Sequence, residues 1–287
     1  MNRLKNPIYT LLLITICLLS SCGHREDITV AQLLRAEAVM DEHPDSALTI
    51  IMAVDSSALA TPADSALYNL LLTQAQVKND VPADYLEKIS KAESYYRRQQ
   101  DKPRLMLALL YLGEYQLGKG EYDTAVSTLL EAEQIATDTK NWFYLGLIDR
   151  SLCDAHIKVF SAEESLAYAA KAVEAFRLSG NEEYWNCERC NLAGALCNIG
   201  ENARASEILD SVWIKAREMK DTVTIALAMQ LRIPIHINRH EWDKAIKMYE
   251  EVQAFYPYFL GPRENQWLAL AYCNAGEPLL CRHLRQF

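Results

Sequence analysis

The sequence predicts an all-α fold in which helical hairpins stack side by side, and three features of the chain lead to this prediction. The chain is self-similar at a spacing of 40 residues, in windows that begin at Met106, Gly146, Asn186 and Ala226. Small residues recur at fixed offsets within these windows. Only 10 glycines and 9 prolines occur in 287 residues, which favours long helices joined by short turns. A fixed period of this size is typical of stacked helical repeats.

The recurring small residues mark points at which helix backbones approach each other closely. The twentieth position of the four windows holds, in turn, Ala125, Ser165, Ala205 and Ala245. The twenty-seventh position holds Ala132, Ala172, Val212 and Val252. Because short side chains leave room for a close crossing, these positions predict the same helix contact in every copy.

Helix signals begin soon after the N-terminal segment. The apolar period over Val30–Glu37 predicts a first helix, and a second opens at Pro44, because proline is favoured in the first turn of a helix. Thr61–Asp64 supplies an N-cap, a proline at the first helical position and an acidic residue in the first turn. We expect the helix that starts there to run through Val77.

Further helix signals follow at similar intervals. Val81–Asp84 predicts the start of the partner helix, which extends to Gln99. Asp101–Pro103 opens the clearest copy of the repeat, and Gly118–Gly120 makes its turn. Ser161–Glu164 has the spacing of a capping box, in which a serine and a glutamate bond reciprocally to the first turn of a helix.

The clearest copy resembles the tetratricopeptide repeat (TPR). The residues that carry the resemblance are Leu112, Gly113, Ala125, Leu129 and Ala132. The resemblance implies a right-handed α-α superhelix of helical hairpins over residues 28–287, in which the first helix of each hairpin lines a concave face. The usual repeat has about 34 residues, so a period of 40 corresponds to nearly one additional turn in each helix.

The N-terminus resembles the signal peptide of a bacterial lipoprotein. A short basic region precedes an apolar stretch over Ile8–Leu19, which is too short to span a bilayer comfortably. Ser20 and Ser21 then precede Cys22, as in a lipobox. The resemblance implies cleavage before Cys22 and attachment of lipid to that residue. An ordinary secretory signal followed by an unrelated cysteine is the alternative.

This resemblance divides the N-terminal segment into two parts. Residues 1–21 are expected to be a signal peptide, and residues 22–27 a short lipidated tether that anchors the protein to a membrane of the cell envelope. Gly23 is not the aspartate that retains many such proteins at the inner membrane, so the outer membrane is favoured. The sequence leaves open whether the body faces the periplasm or the exterior.

The charge of the chain argues against nucleic acid as a partner. The formal net charge is −9, and removal of residues 1–21 would take away two further basic residues. An acidic chain that contains no run of lysines and arginines repels polyphosphate. We therefore expect no nucleic-acid partner.

Two spacings invite a metal-site interpretation. Cys187 and Cys190 form a C-x-x-C pair with Cys197 nearby, but a structural zinc site needs four ligands and no second pair follows. Buried thiols are the simpler interpretation, and a disulfide between Cys187 and Cys190 stays open in an oxidising compartment. His236 and His240 lie one helical turn apart, but the glutamate of a metalloprotease motif does not follow His236.

No other catalytic pattern stands out in the sequence, which contains no phosphate-binding loop and no nucleophile elbow. We therefore expect no catalytic residue, no bound metal and no cofactor. The sequence predicts a protein that binds a partner rather than an enzyme.

The candidate binding surface is the concave face that the TPR resemblance implies. Its expected lining residues are Leu110, Glu114, Leu117, Arg150, Asp154, Ile157, Lys158, Cys190, Gly194, Asn198, Gln230 and Asn238. Arg150 and Lys158 have the charges to clamp a carboxylate of a peptide. An ordinary solvated helix face is the equally open alternative.

The expected function is that of a membrane-tethered, non-enzymatic scaffold or sensor that binds a protein or peptide on its concave face. One alternative is a lipoprotein that captures glycans or other nutrients at the outer membrane. Another is the sensor half of a shortened regulator, since some longer relatives of such repeat lipoproteins carry a DNA-binding or kinase module after the repeats.

Overall fold

The protein is described here by a computed structural model that covers residues 28–276, with the main chain alone at Phe259. The α-helices are α1 28–39, α2 Pro44–Met52, α3 Pro62–Lys78, α4 Leu86–Gln99, α5 Lys102–Gly118, α6 Tyr122–Asp138, α7 Trp142–Lys158, α8 Ala162–Ser179, α9 Glu182–Asn198, α10 Asn202–Met219, α11 Thr222–Gln230, α12 Arg232–Asn238, α13 Trp242–Phe255 and α14 Pro262–Ala275. Short 3-10 turns cover Ser56–Ala58 and Pro257–Phe259. Residues 28–276 contain no β-strand, which agrees with the predicted all-α class.

The predicted period appears in the backbone as a turn at every twentieth residue. The backbone has a positive φ angle, in the left-handed region, at nine residues spaced by 20: Asp80, Gln100, Gly120, Lys140, Phe160, Gly180, Gly200, Lys220 and His240. Each of these residues ends one helix and redirects the chain into the next. A repeat of 40 residues is therefore two helical units of equal length.

A second backbone regularity lies at the starts of four first helices. The side chains of Asp101, Asn141, Asn181 and Asp221 each accept a hydrogen bond from the backbone N–H three residues later. These N-caps satisfy donors that a helix start would otherwise leave unpaired. The spacing of the caps is again 40 residues. Thr61 and Asp64 form the capping box expected at the start of α3.

Three details of the helix starts and breaks differ from the sequence expectation or refine it. The Ser161 side chain makes no bond to the backbone of α8 and instead donates to the Glu164 carboxylate, so the predicted capping box is wrong. The helix expected from Val81–Asp84 begins later, at Leu86. The first helix of the fourth copy is broken into α11 and α12, because Pro234 has no N–H to donate to the carbonyl four residues before it.

The chain divides into two compact units, of which the first ends at Ile135 and the second begins at Ala136. In unit 1, side chains of α1 and α2 pack against α3, where Leu33, Ile51 and Leu71 are fully buried. Arg104 of α5 donates two hydrogen bonds of 3.0 Å to the carboxylate of Glu37 in α1. This bidentate pair joins two first helices within the unit.

In unit 2, each helix packs against the next along the chain, from α7 to α10 and again from α12 to α14. The small residues singled out in the sequence lie at these contacts, since Ala172, Ala205 and Val212 have no exposed surface. Gly146 of α7 contacts the ring of Phe176 in α8 so closely that a Cβ atom would lie 2.8 Å from it. The recurring small residues therefore have the role that the sequence predicts.

The N-terminal predictions lie outside the described residues. This applies to the signal peptide over 1–21, the tether over 22–27 and lipidation of Cys22, and equally to the chain beyond residue 276. Among residues 28–276, no helix combines the length and the apolar character needed to cross a bilayer.

Candidate functional site

The candidate site is a surface of unit 2 that combines side chains of α7, α9 and α12. We call it the first-helix face and define it by Arg150, Asp154, Glu188, Asn191, Asn198 and Asn238. At its centre, Nε of Arg150 donates to Oε2 of Glu188 over 2.6 Å. The Glu188 side chain is fully buried, whereas that of Arg150 keeps 26% of its surface exposed. The pair therefore joins α7 to α9 from within the protein.

Two aromatic rings hold the guanidinium of Arg150. Its central carbon lies 5.1 Å from the ring centroid of Phe176 and 5.4 Å from that of Tyr184. The two rings also contact each other, with centroids 5.2 Å apart. Cation–π contact of this kind is strongest where water is excluded. The rings thus fix the orientation of the guanidinium relative to Glu188.

The ion pair leaves polar atoms over. Asn191 donates to the same carboxylate oxygen of Glu188 over 3.2 Å. The other oxygen, Oε1 of Glu188, and Nη2 of Arg150 are buried and form no hydrogen bond with any described residue. Buried polar atoms without partners are costly, and they are commonly found where a protein has a functional task.

Asp154 places an exposed carboxyl group on this face. The residue is exposed, yet the protein atoms around its carboxyl group are numerous enough to raise its pKa. The negative charge of Glu188 raises this pKa further, while Arg150 and Lys158 act in the opposite direction.

The remaining residues expected on this face occupy different positions. Lys158 and Asn198 are exposed and Ile157 is half-buried. Asn238 donates to the side-chain oxygen of Asn202 over 3.0 Å and thereby joins α12 to α10.

Two further expected positions lie between helices. Gln230 donates to the buried carboxylate of Glu264 over 2.7 Å, which links α11 to α14. Gly194 lies beside Leu231 and is half-buried. Cys190 has no exposed surface, so its assignment to the binding surface is wrong: its position in α9 points into the core.

The three expected residues of unit 1 form a separate surface. Leu110 is only 1% exposed and is part of the packing of α5, so its assignment to a binding surface is wrong. Glu114 and Leu117 are half-buried. Beside them, Tyr115 donates from its hydroxyl to Asp84 over 3.1 Å and contacts the ring of Tyr85.

The cysteines of α7 and α9 are free thiols, as the simpler interpretation of the sequence holds. Cys153, Cys190 and Cys197 are buried, and Cys187 is half-buried. Burial raises the pKa of Cys153 to about 12 and that of Cys197 to about 11. Such thiols are protonated at neutral pH and are therefore poor nucleophiles and poor metal ligands. Within residues 28–276, no three His, Cys, Asp or Glu side chains are grouped as metal ligands.

The two histidines of α12 and its following turn also have structural partners. Nδ1 of His236 lies 2.7 Å from Oε2 of Glu241. Lys244, and after it His236, hydrogen-bond to that carboxylate and lower the pKa of Glu241 to about 2. His240 has a positive φ and packs its ring against Trp242. The two imidazoles thus serve separate contacts.

Sequence reasoning missed Glu188 and Asn191, which complete the site. The positions that the TPR resemblance assigns to the concave face include neither residue. In α9 they include Cys190, the residue before Asn191. A signal was present: Arg150 and Glu188 are opposite charges separated by 38 residues, close to the repeat period, as expected of partners on successive first helices. Charged pairs at that separation are the pattern that would have found the pair.

The fold is similar to that of several solved helical-repeat proteins. A Rap protein complexed with competence and sporulation factor matches with a TM-score of 0.70 and 13% identity, over 91% of this chain and 75% of that chain. NprR in complex with its cognate peptide NprX matches with a TM-score of 0.67 and 15% identity, over 94% and 77% of the two chains.

A third similar structure is a signal transduction ATPase with numerous domains from Pyrococcus horikoshii, which has a tetratricopeptide repeat sensor. It matches with a TM-score of 0.64 and 15% identity, over 91% of this chain but only 41% of that chain. No protein-family model and no curated protein matches this chain. Identities this low show a shared fold alone, and on that basis the predicted TPR-like helical-repeat fold is confirmed.

Proposed function

We propose that the protein is a non-enzymatic binding protein that holds a peptide or an extended protein segment on the first-helix face of unit 2. Two of the similar structures are complexes, one with competence and sporulation factor and one with a cognate peptide, and this supports the proposal. The observation that carries it is the fixed Arg150–Glu188 pair, which accepts a hydrogen bond from Asn191 and whose charges act on the exposed carboxyl group of Asp154. A peptide main chain offers donors and acceptors in alternation, which suits this mixture of side chains.

The lipid tether is the second part of the proposal. We propose that Cys22 is lipidated and holds the protein at a membrane of the cell envelope, with the outer membrane favoured. The variant Cys22→Ala should move the protein from the membrane fraction to the soluble fraction. Separation of the two membranes by density then assigns the anchored wild type. Retention of Cys22→Ala in the membrane would reject lipidation.

The binding surface is tested by photo-crosslinking in membranes of cells that produce the full chain. A photo-reactive amino acid placed at Asn198 should yield a crosslink to a protein or peptide. The matched control places it at Ala170 of α8, which is also exposed but lies on a second helix. Equal crosslinking from both positions would contradict the proposed surface.

A glycan-binding function would give a different pair of results, one with the purified protein and one from crosslinking in cells. If thermal unfolding of the purified protein shifts only with oligosaccharides, and Asn198 yields no protein crosslink, the protein captures glycans and the peptide proposal is wrong.

A further inference from the structure

Another surface of unit 2 is centred on α10, the second helix of its hairpin. No residue of α10 belongs to the first-helix face. Trp213, Ile214 and Arg217 are neighbours on α10, and the guanidinium carbon of Arg217 lies 4.6 Å from the centroid of the Trp213 ring. Ile214 is 57% exposed. Arg232 of α12 contacts the same tryptophan at 5.8 Å and pairs with Asp210 over 2.6 Å.

A matching stack comes from α9. The guanidinium carbon of Arg189 lies 4.9 Å from the centroid of the Trp185 ring, and its Nη2 donates to Oγ of Ser211 in α10. Ser211 and Ile214 are one helical turn apart. The exposed isoleucine is thus near an Arg–Trp stack on α9 as well as one on its own helix. We call Trp185, Arg189, Trp213, Ile214 and Arg217 the Arg–Trp face.

The two arginines of this face have no counter-ion among the described residues. Within residues 28–276, neither Arg189 nor Arg217 forms an ion pair with a carboxylate, whereas Arg104 and Arg150 each do. Burial lowers the pKa of Arg189 from its usual value, which shows that desolvation of its charge is not balanced by a neighbouring acid. Arg189 and Arg217 are thus two positive charges without an ion-pair partner in a chain whose net charge is −9.

The chemistry of the face indicates its partner. A guanidinium stacked on an indole keeps its edge available for the two oxygens of a carboxylate. Tryptophan and arginine are the residues that contribute most often to protein–protein binding energy, typically around an apolar contact. Nucleic acid does not fit, because the acidic chain as a whole repels polyphosphate.

We propose that the Arg–Trp face docks an acidic segment of a partner protein, in which an apolar side chain covers Ile214 and carboxylates on either side pair with Arg189 and Arg217. Charge complementarity and the exposed apolar side chain at the centre of the face favour this partner. The proposal does not depend on peptide binding at the first-helix face, because the two faces share helix α9 but no residue.

The test uses the full-length chain in detergent and three synthetic peptides: a leucine flanked on both sides by glutamates, the same peptide with serine in place of leucine, and the same peptide with lysines in place of glutamates. Binding is measured by titration calorimetry at low and at physiological salt. We expect the glutamate–leucine peptide to bind more tightly than the other two, with affinity that falls as salt rises.

Variants of the face identify the site. Ile214→Ser and Arg189→Gln should each weaken the glutamate–leucine peptide at least tenfold. Arg217→Glu should abolish its binding and create binding of the lysine–leucine peptide, which also shows that the variant is folded. The matched control is the double variant Arg177→Gln with Leu178→Ser on α8, which removes an exposed arginine and an exposed leucine from the same unit. It should leave binding unchanged.

Three outcomes would overturn the proposal. They are absence of binding by the wild type, equal weakening by the control variant, and a wild-type self-association that Ile214→Ser abolishes. The last result would assign the face to contact between copies of this chain. If Asn198 yields no crosslink but the glutamate–leucine peptide binds the Arg–Trp face normally, only the proposal for the first-helix face is rejected.

Discussion

Arg150 and Glu188 form an ion pair whose carboxylate is fully buried, with Nε of the arginine 2.6 Å from Oε2 of the glutamate. The pair bridges two successive first helices, and the equivalent contact between Gln230 and Glu264 bridges another two. Polar links at about the repeat spacing therefore join successive first helices. Such links fix register at a cost in desolvation, which makes them testable.

Removal of Glu188 should be strongly destabilising. The change Glu188→Ala leaves the Arg150 guanidinium between two rings without its carboxylate, and we expect the free energy of unfolding to fall by about 3 kcal/mol. Urea denaturation followed by far-UV circular dichroism measures the loss. The control is Glu174→Ala, which breaks an exposed pair with Arg177 and should change stability little. Similar losses in both variants would contradict a buried pair.

The close contact between α7 and α8 should not tolerate a methyl group. In Gly146→Ala the new Cβ would lie 2.8 Å from the Phe176 ring, so the ring or the helix must move, at a cost of about 1–3 kcal/mol. Gly118→Ala is the matched control, since a Cβ there would meet no atom within 4 Å, and it should be neutral or slightly stabilising. Equal thermal midpoints for the two variants would refute the contact.

The carboxyl of Asp154 should make stability depend on pH in a defined direction. Its pKa in the folded protein is raised above the ordinary value of 3.8, because burial and Glu188 disfavour the charged form. Between the ordinary pKa of the unfolded chain and the raised pKa of the folded protein, the unfolded chain loses its proton first as pH rises. The folded state is therefore progressively destabilised across this range. Above the raised pKa this loss of stability is complete.

The variant Asp154→Asn removes this effect. The difference in unfolding free energy, variant minus wild type, should increase from pH 3.8 through the raised pKa and then stay constant. Urea titrations at a series of pH values measure it. A difference that does not change with pH would show that the folded pKa is ordinary.

The thiols of α7 and α9 should resist alkylation in the native protein. Cys153 and Cys197 have raised pKa values of about 12 and about 11, and Cys190 is fully buried. Mass spectrometry after brief iodoacetamide treatment should find these sites unmodified until urea unfolds the chain. Lys171→Cys, on the exposed side of α8, is the control that should react at once. Native labelling of Cys190 would disprove the packing of α9.

Phe160 should be an unfavourable residue at its position. It has a φ of +59° and is 94% exposed, so it is strained and buries almost nothing. Phe160→Gly should raise the unfolding free energy by about 1 kcal/mol, since glycine adopts this region without penalty. The reciprocal change, Gly180→Ala at a φ of +75°, should lower it by a similar amount. A loss of stability in Phe160→Gly would indicate that the ring has a partner.

The period of the fold could be predicted from the sequence because small residues recur at the same positions in successive copies. Ala125, Ala172 and Ala205 recur at fixed offsets, and each is fully buried in a helix contact. The turns were harder to predict, because Lys140, Phe160 and Lys220 take the left-handed conformation that glycine would have signalled. The left-handed conformation recurs at the turn after every twentieth residue, both where that residue is glycine and where it is not.

The candidate site could be predicted only in part. Arg150, Leu110 and Cys190 hold the same position in three successive windows, yet Leu110 and Cys190 are buried and Arg150 keeps 26% of its side chain exposed. The position in the repeat therefore does not decide between surface and core, because a long charged side chain reaches the surface where a short apolar one stays buried.

The all-α class and the 40-residue period can be predicted from the amino-acid sequence, because helix signals and small residues act locally or at a fixed spacing. The folded structure was needed to show that Arg150 pairs with Glu188 and that Arg189 and Arg217 have no acidic partner among residues 28–276. Charge pairing depends on distances of a few ångströms between separate helices. No periodicity along the chain encodes those distances.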